Sequence, residues 1–252
     1  MGSTPDEGLE ALREAGALAA LLPAVDGMVG FGDGEWRHKD LWKHTKQVVA
    51  QAPDRAAVRW AALLHDIGKV KTRSFADDGQ VHFFGHAEVG ARMFRKLHRR
   101  LPLFRDEPEL ERAVHFLILH HLRASQYKRS WTDSAVRRFA REMGRHMDDL
   151  FCLSRADITT KRPERRRRGL QQIDDLMSRV TALAAEDAKQ PPLPKGLGNA
   201  IMKAFGLAPS RQIGDIMRAL EARVATGDLP AQAAAAVYVD YVEHHRAEFD
   251  LD

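Results

Sequence analysis

Apolar residues recur at three- and four-residue spacing along almost the whole chain, which predicts an all-α fold. The apolar positions from 9 to 22 indicate one N-terminal helix that Pro23 stops. Further helices are predicted over 41–51, from Pro53-Asp54 to His65-Asp66, from Gly85 onward, from 106 to His121, and over 132–143, 147–159, 165–188, 201–205, 210–225 and 231–246.

One stretch departs from the helical pattern. Residues 72–75 and 81–84 are strand-like and flank the turn sequence Asp77-Asp78-Gly79-Gln80, which predicts a small hairpin excursion. Farther along, the proline-rich segment 190–194 is typical of a linker. We therefore expect two domains, a helical bundle over 1–188 and a small C-terminal helical unit over 189–252.

Composition narrows the class of protein. Cys152 is the single cysteine among 252 residues, which excludes an intramolecular disulfide and a zinc cluster built from thiolates. No apolar run is long enough to span a bilayer, and the first residues lack the pattern of a signal peptide. We expect a protein of the reducing cytoplasm without membrane contact.

Positive charge is concentrated in one block. The formal net charge is +4, but residues 161–168 alone hold six cations and one anion. Such a block could bind a phosphate backbone, with Arg162 and Arg165 as candidate substrate-binding residues. The alternative is a solvated helix start that happens to be basic.

Histidine and aspartate residues are spaced along the chain as a set of metal ligands would be. His44, His65, Asp66 and Asp157 would complete one metal shell. Asp66 could share its second oxygen with a neighbouring ion, whose other ligands would be His86, His120 and His121. Imidazole mixed with carboxylate suits divalent Mn, Fe, Co, Ni or Zn better than Ca or Mg.

Two such ions about 3.5–4 Å apart would activate a bridging water and hold both oxygens of a displacement at phosphorus. Asp66, as the bridge, and Lys69, one helical turn later, are therefore the candidate catalytic residues. Lys69 and Arg73 could also bind a substrate phosphate. Each residue has an ordinary alternative: a packed core histidine, an Asp157 paired with Arg155 or Arg162, or a solvated lysine. Their ordered spacing on apolar helices favours one joint site.

These residues carry a resemblance to a known family. The order His44, His65-Asp66, His86, His120-His121 and Asp157 resembles the HD-domain metal-dependent phosphohydrolases. Within them the chain is similar to the HD-containing C-terminal half of bacterial CCA-adding tRNA nucleotidyltransferases. The segments that carry this likeness are 12–16 with 21–23, 63–69 with 84–91, and 193–196 with 205–209 and 227–229.

The resemblance implies an HD-type helical bundle over 1–188 and, over 189–252, a unit like the tRNA-contacting end of those enzymes. It implies hydrolysis of 2′,3′-cyclic phosphates and phosphomonoesters with two divalent ions, on an RNA 3′ end or a small nucleotide. The polymerase head of that family would precede residue 1, so CCA addition is expected to be lost. The alternatives are a nucleotidase or phosphatase on small nucleotides, a mixed-valent di-iron oxygenase, and a non-catalytic RNA-binding remnant.

Overall fold

A computed structural model of the chain describes residues 4–32, 40–78, 80–187 and 191–251. It is almost entirely helical, as the apolar periodicity predicts. The helices are α1 (Pro5–Glu14), α2 (Ala17–Leu21), α3 (Pro23–Asp26), α4 (Leu41–Gln51), α5 (Ala56–Leu64), α6 (Lys69–Thr72), α7 (His86–Arg100), α8 (Pro108–His120), α9 (Asp133–Met143), α10 (Met147–Ala156), α11 (Pro163–Asp187), α12 (Leu197–Phe205), α13 (Arg211–Thr226) and α14 (Ala235–His244).

The predicted hairpin is present as two short antiparallel strands, β1 (Ser74–Phe75) and β2 (Val81–His82). Ser74 is paired with His82, and Phe75 with Val81. Gly79 of the predicted turn and Gln190 of the predicted linker lie outside the described residues. No described helix has the length and apolar character needed to cross a membrane.

The chain divides into two compact units, Met1–Ala184 and Ala185–Asp252. In the first unit, α5 is the central helix. Its residues Val58, Ala61, Ala62 and Leu64 are all fully buried, and it packs against α4, α8 and α10. Because this helix is apolar on most sides, it can pack only as an interior element, and the residues that follow it are therefore held deep inside the bundle.

The second unit has a core of its own, built from α12, α13 and α14 with the segments around them. Leu197, Ile201, Leu220 and Tyr238 are fully buried there. The Tyr238 hydroxyl donates to the Pro230 carbonyl at 2.6 Å and accepts from the Ala233 amide at 3.1 Å, which satisfies the one polar atom of that buried ring.

The predicted N-terminal helix is wrong in two respects. The chain breaks at Gly16, which has a φ of +71°, and α2 starts after it. A positive φ is accessible to glycine because it has no Cβ. Pro23 does not simply stop a helix; it occupies the first position of α3, where its missing N–H costs nothing.

Several predicted helix ends also differ from the structure; α12 begins at Leu197 and not at 201, and α14 begins at Ala235 and not at 231. The residue that caps the start of α5 is Arg55 and not the Pro53-Asp54 pair, and Asp54 instead forms a 2.8 Å ion pair with Arg59. The helix predicted over 147–159 ends at Ala156, so Asp157 follows the last helical turn of α10.

Gly68 allows the turn after α5 to contact the start of α7. A Cβ on Gly68 would overlap the carbonyl oxygen of His86 and lie 2.7 Å from the Gly90 nitrogen. Gly90 in turn lies on α7 opposite the His65 carbonyl. Two glycines at this crossing therefore bring the His65-Asp66 pair next to His86.

Candidate metal centre

Asp66 lies at the middle of a cluster of four histidines. Its Oδ2 atom is 3.3 Å from Nε2 of His65 and 3.5 Å from Nε2 of His44. Its Oδ1 atom is 3.5 Å from Nε2 of His86 and 3.8 Å from Nε2 of His121. The two carboxylate oxygens thus face two different pairs of imidazoles, the arrangement expected of a carboxylate between two ions.

Asp157 lies beside the first of these pairs. Its Oδ1 atom is 3.1 Å from Nε2 of His44 and 3.5 Å from Nε2 of His65. Residues His44, His65 and Asp66 form one group of mutually close donor atoms, and Asp66, His86 and His121 form a second. Residues that are far apart in the sequence are thereby brought together from five helices, α4, α5, α7, α8 and α10.

Helix ends position most of these side chains. His65, His121 and Asp157 each follow the last residue of a helix, and His86 is the first residue of α7, whose N-cap Gly85 has a φ of +70°. His44 lies within α4. Buried helix ends converge here because the apolar faces of those helices pack around α5.

The second ring nitrogen of each histidine has a fixed partner. Nδ1 of His65, His86 and His121 lies 2.8–2.9 Å from the backbone carbonyls of Ala62, Phe83 and Ile118. A carbonyl can only accept, so Nδ1 carries a proton in each ring and Nε2 faces the cluster. A ring in its neutral form then presents the Nε2 lone pair to a metal.

His44 differs from the other three histidines. Its Nδ1 atom lies 2.9 Å from the hydroxyl of the buried Thr159. Hydrogen bonds of this kind orient histidines that bind metals. Thr159 was missed from the sequence, and nothing in its spacing marks it.

Two observations test whether these residues fit metal ions. Nε2 of His65 and Oδ1 of Asp66 are fully buried, and neither has a hydrogen-bond partner within the described part of the chain. Leaving a buried polar atom without a partner costs about 1–3 kcal/mol, which an ion would remove. Ligand atoms at about 2.0–2.2 Å from one ion are separated by about 3–3.5 Å, close to the 3.1–3.8 Å found here. The residues fit.

The surrounding charges and burial shift the pKa values of the histidines in opposite directions. Burial lowers the pKa of His65, but the carboxylates of Asp66 and Asp157 outweigh it and raise that pKa to about 10. Burial, reinforced by His65, lowers the pKa of His121 to about 4, and burial also lowers the pKa of His86. His86 and His121 are therefore neutral at pH 7, the form in which imidazole binds a metal.

Asp66 is held in its charged form. Burial raises the pKa of this carboxyl, but His65 and Lys69 outweigh it and hold that pKa well below its usual range. Lys69 Nζ donates to Asp66 Oδ2 at 2.6 Å, and it lies over the ring of Phe83. Charged Asp66 is the state needed to bridge two cations.

His120 is not brought into either group of donor atoms. Its ring centroid lies 4.3 Å from that of Phe116. Consecutive residues on a helix point about 100° apart, so His121 can face Asp66 while His120 packs elsewhere. The doublet thus contributes one of its two rings to the cluster.

The predicted substrate-binding residues are dispersed. Lys69 and His86 line a cavity of about 440 Å³ beside the cluster. Arg73 donates to the Gly32 carbonyl at 2.8 Å and lies over the ring of Phe31. Arg162 and Arg165 are exposed at the start of α11 and do not line that cavity.

Comparisons with known proteins give one family and several relatives. The model of the HD domain family matches residues 38–167. The chain is 30% identical over 247 residues to the A-adding tRNA nucleotidyltransferase of Deinococcus radiodurans, covering 94% of this chain and 55% of that protein. It is also 30% identical over 243 residues to the CC-adding tRNA nucleotidyltransferase of Thermus thermophilus, covering 93% and 52%.

A further relative is the multifunctional CCA protein of Ectopseudomonas mendocina. The identity is 31% over 213 residues, covering 79% of this chain and 49% of that protein. The chain thus spans about half the length of the curated relatives it matches.

Proposed function

The chain belongs to the HD domain family, and from that premise we propose that it is a metal-dependent phosphoester hydrolase acting on 2′,3′-cyclic phosphate ends of RNA or on 2′,3′-cyclic nucleotides. The observation that carries the proposal is the division of Asp66 between two pairs of imidazoles whose Nδ1 atoms are already engaged.

The proposed ligand sets follow from that division. His44, His65, Asp66 and Asp157 would hold one divalent ion, and Asp66, His86 and His121 the other. Two bound ions would supply a water of lowered pKa and cations for the phosphate oxygens. Mn, Fe, Co, Ni and Zn all accept this mixture of imidazole and carboxylate.

Lys69 is proposed to place its charge where phosphate charge develops. Its ammonium group donates to Asp66 and lines the adjoining cavity with His86. A cation held this close to the carboxylate bridge could donate to a phosphate oxygen as negative charge increases there. Phe83 and Leu119 give the cavity an apolar side, and Glu88, Arg123 and Gln126 complete its polar lining.

Names of the relatives support an RNA or nucleotide substrate. Two of the matched proteins are tRNA nucleotidyltransferases, so the activity in their names concerns an RNA. A 2′,3′-cyclic phosphate at an RNA end is both part of an RNA and a phosphoester. Two ion sites built from imidazoles and carboxylates are suited to hydrolysing such an ester.

The proposal is tested with protein stripped by a chelator and reloaded separately with Mn, Fe, Co, Ni or Zn. Hydrolysis of a 2′,3′-cyclic mononucleotide, a nucleoside 3′-monophosphate and a generic phosphodiester is then measured. We expect at least one metal to restore cyclic phosphate hydrolysis. Asp66→Asn should reduce activity to the level of stripped protein, while Asp148→Asn, an exposed carboxylate on α10, should not. Failure of every metal to restore any hydrolysis would contradict the proposal.

A further inference from the structure

We propose that a groove leading away from the metal centre binds the single-stranded RNA that precedes the reacting 3′ end. This inference rests on the proposed function and narrows its substrate from any cyclic nucleotide to an RNA strand of several nucleotides. The groove is formed by the segment 123–129 and one side of α11. We call it the Gln126 groove.

The groove is continuous with the metal centre. The cavity of about 440 Å³ that contains Lys69 and His86 is also lined by Arg123 and Gln126. Gln126 lines a second cavity as well, of about 570 Å³, together with Lys128 and Arg168. The shared residue shows that the two cavities adjoin at Gln126. Tyr127, Arg129 and Asp175 in turn join the second cavity to a third of about 420 Å³.

The charge of the groove suits a phosphate backbone. Lys128, from the segment 123–129, and Arg168, from α11, both line it, and both are exposed. Neither side chain has an ion-pair or hydrogen-bond partner among residues 4–32, 40–78, 80–187 and 191–251. The acidic residue in this lining, Asp175, is neutralised by Arg129 at 2.6 and 2.8 Å. Cations without protein partners that line one groove can contact backbone phosphates at no cost in broken ion pairs.

Neutral side chains add hydrogen-bonding capacity. Gln171 and Ser125 line the second cavity with Lys128, while Gln172 is already engaged with the carbonyls of Ser125 and Tyr127. The Gln171 amide can donate to phosphate oxygens. The Ser125 hydroxyl donates to the Leu122 carbonyl at 2.9 Å and can still accept from the 2′-hydroxyl of ribose, the group that distinguishes RNA from DNA.

An aromatic side chain lies at the inner end of the groove. Phe84 lines the cavity of Lys69 and His86 and is 78% exposed, an unusual state for a ring of that size. His82 stacks on it at 4.9 Å with an angle of 12° between the rings. Stacking on an aromatic ring is how proteins hold unpaired bases. Phe84 is therefore assigned to the base of the terminal nucleotide, with the preceding phosphates running past Gln126 to Lys128 and Arg168.

The test compares two substrates in three variants. Lys128→Glu and Arg168→Glu change the groove, and Arg166→Glu makes the same charge change on α11 outside it. The substrates are a 2′,3′-cyclic mononucleotide and an RNA of eight nucleotides ending in a 2′,3′-cyclic phosphate. We expect the groove variants to raise KM for the RNA about 10-fold and to leave the mononucleotide values within about twofold, with Arg166→Glu close to wild type for both.

A binding measurement separates this inference from the proposed function. Anisotropy of a labelled, unreactive RNA ending in a 3′-hydroxyl is measured with chelated protein over a range of salt. Loss of Lys128 and Arg168 together should reduce the slope of log affinity against log salt by about 1.4. That result without hydrolysis of either substrate would uphold the groove and refute the phosphohydrolase. Hydrolysis of both substrates with equal effects of all three charge changes would refute the groove alone. Equal competition by double-stranded RNA would also refute it.

Discussion

The Nε2 atoms of His86 and His121 lie 3.1 Å apart, while the Nδ1 atom of each ring is bonded to the backbone carbonyl three residues earlier. When both rings are neutral, two lone pairs face each other across that distance. Such an arrangement is unfavourable unless a proton or a cation lies between them. Since burial lowers the pKa of both rings, a metal cation fits better than a proton.

The doublet His120-His121 gives a matched pair of substitutions. His121→Asn removes a donor atom from the group with Asp66 and His86 and should lower the bound metal by about one ion per chain. His120→Asn removes a ring that packs on Phe116 and should leave metal content unchanged. Metal analysis after purification measures both. Equal losses would show that His120 is also a ligand.

Thr159→Val should weaken metal binding without removing a ligand. The hydroxyl bonded to Nδ1 of His44 is replaced by a methyl group of similar size, so the ring loses its fixed orientation. Loss of such partners typically costs 10–100-fold in metal affinity or activity. Competition with a chromogenic chelator measures the affinity. Unchanged affinity in Thr159→Val would show that packing alone orients the ring.

Lys69→Met should reduce turnover more than metal binding. Its ammonium group donates to Asp66 and lines the cavity beside His86, so the variant keeps the proposed ligands and loses the cation. We expect kcat to fall about 10²-fold with metal content retained. Lys71→Met, an exposed lysine on the same helix, is the control. A loss of metal equal to the loss of rate would assign Lys69 a structural role only.

Gly68→Ala should be strongly destabilising, although the φ of Gly68, −67°, suits any residue. The new methyl group would overlap the His86 carbonyl and separate α7 from the His65-Asp66 turn. We expect a loss of about 2–4 kcal/mol of unfolding free energy. Gly214→Ala, in open space on α13, should instead stabilise by about 0.5–1 kcal/mol. Urea denaturation of both variants decides; a stable Gly68→Ala with full metal content would refute the close contact.

Metal-free protein should lose stability as the pH falls from about 6.5 to 4. In that window the unfolded chain protonates His121 at its ordinary pKa of about 6.5, whereas the folded pKa is about 4. The unfolded state binds the extra proton, so acid favours it, by about 3 kcal/mol over the full window. His65, whose folded pKa is about 10, is protonated in the folded state throughout this window and in most unfolded chains below about pH 6, so it adds little slope there. Urea midpoints in chelator at about pH 6 and 4.5 test this, and His121→Asn should reduce the difference.

Most of the fold follows from the sequence because apolar spacing is a local signal. Helix α4 occupies the predicted 41–51, and the two strand-like segments pair as expected. The break at Gly16 was missed, since glycine within a helical pattern is tolerated in many helices and ends others. The outcome depends on contacts that lie far away in the sequence.

The sequence predicts which residues form the candidate site better than it predicts how their side chains are oriented. The order of histidines and aspartates identifies which residues could meet at Asp66, but ring orientation depends on rotamers and on carbonyls such as that of Phe83. Thr159 and the Gln126 groove could not be predicted from the sequence, because a single hydroxyl or a single lysine has no distinctive spacing. The basic block 161–168 is evident from the sequence, and Arg168 at its end lines the second cavity.

The carbonyl partners of His65, His86 and His121 have a consequence for how the sequence can vary. Each carbonyl belongs to the backbone three residues earlier, so Ala62, Phe83 or Ile118 can change identity over generations without loss of the acceptor. His44 depends on the side chain of Thr159 instead. The residues that supply the backbone carbonyls should therefore vary among related sequences, whereas position 159 should keep a residue with a hydroxyl group.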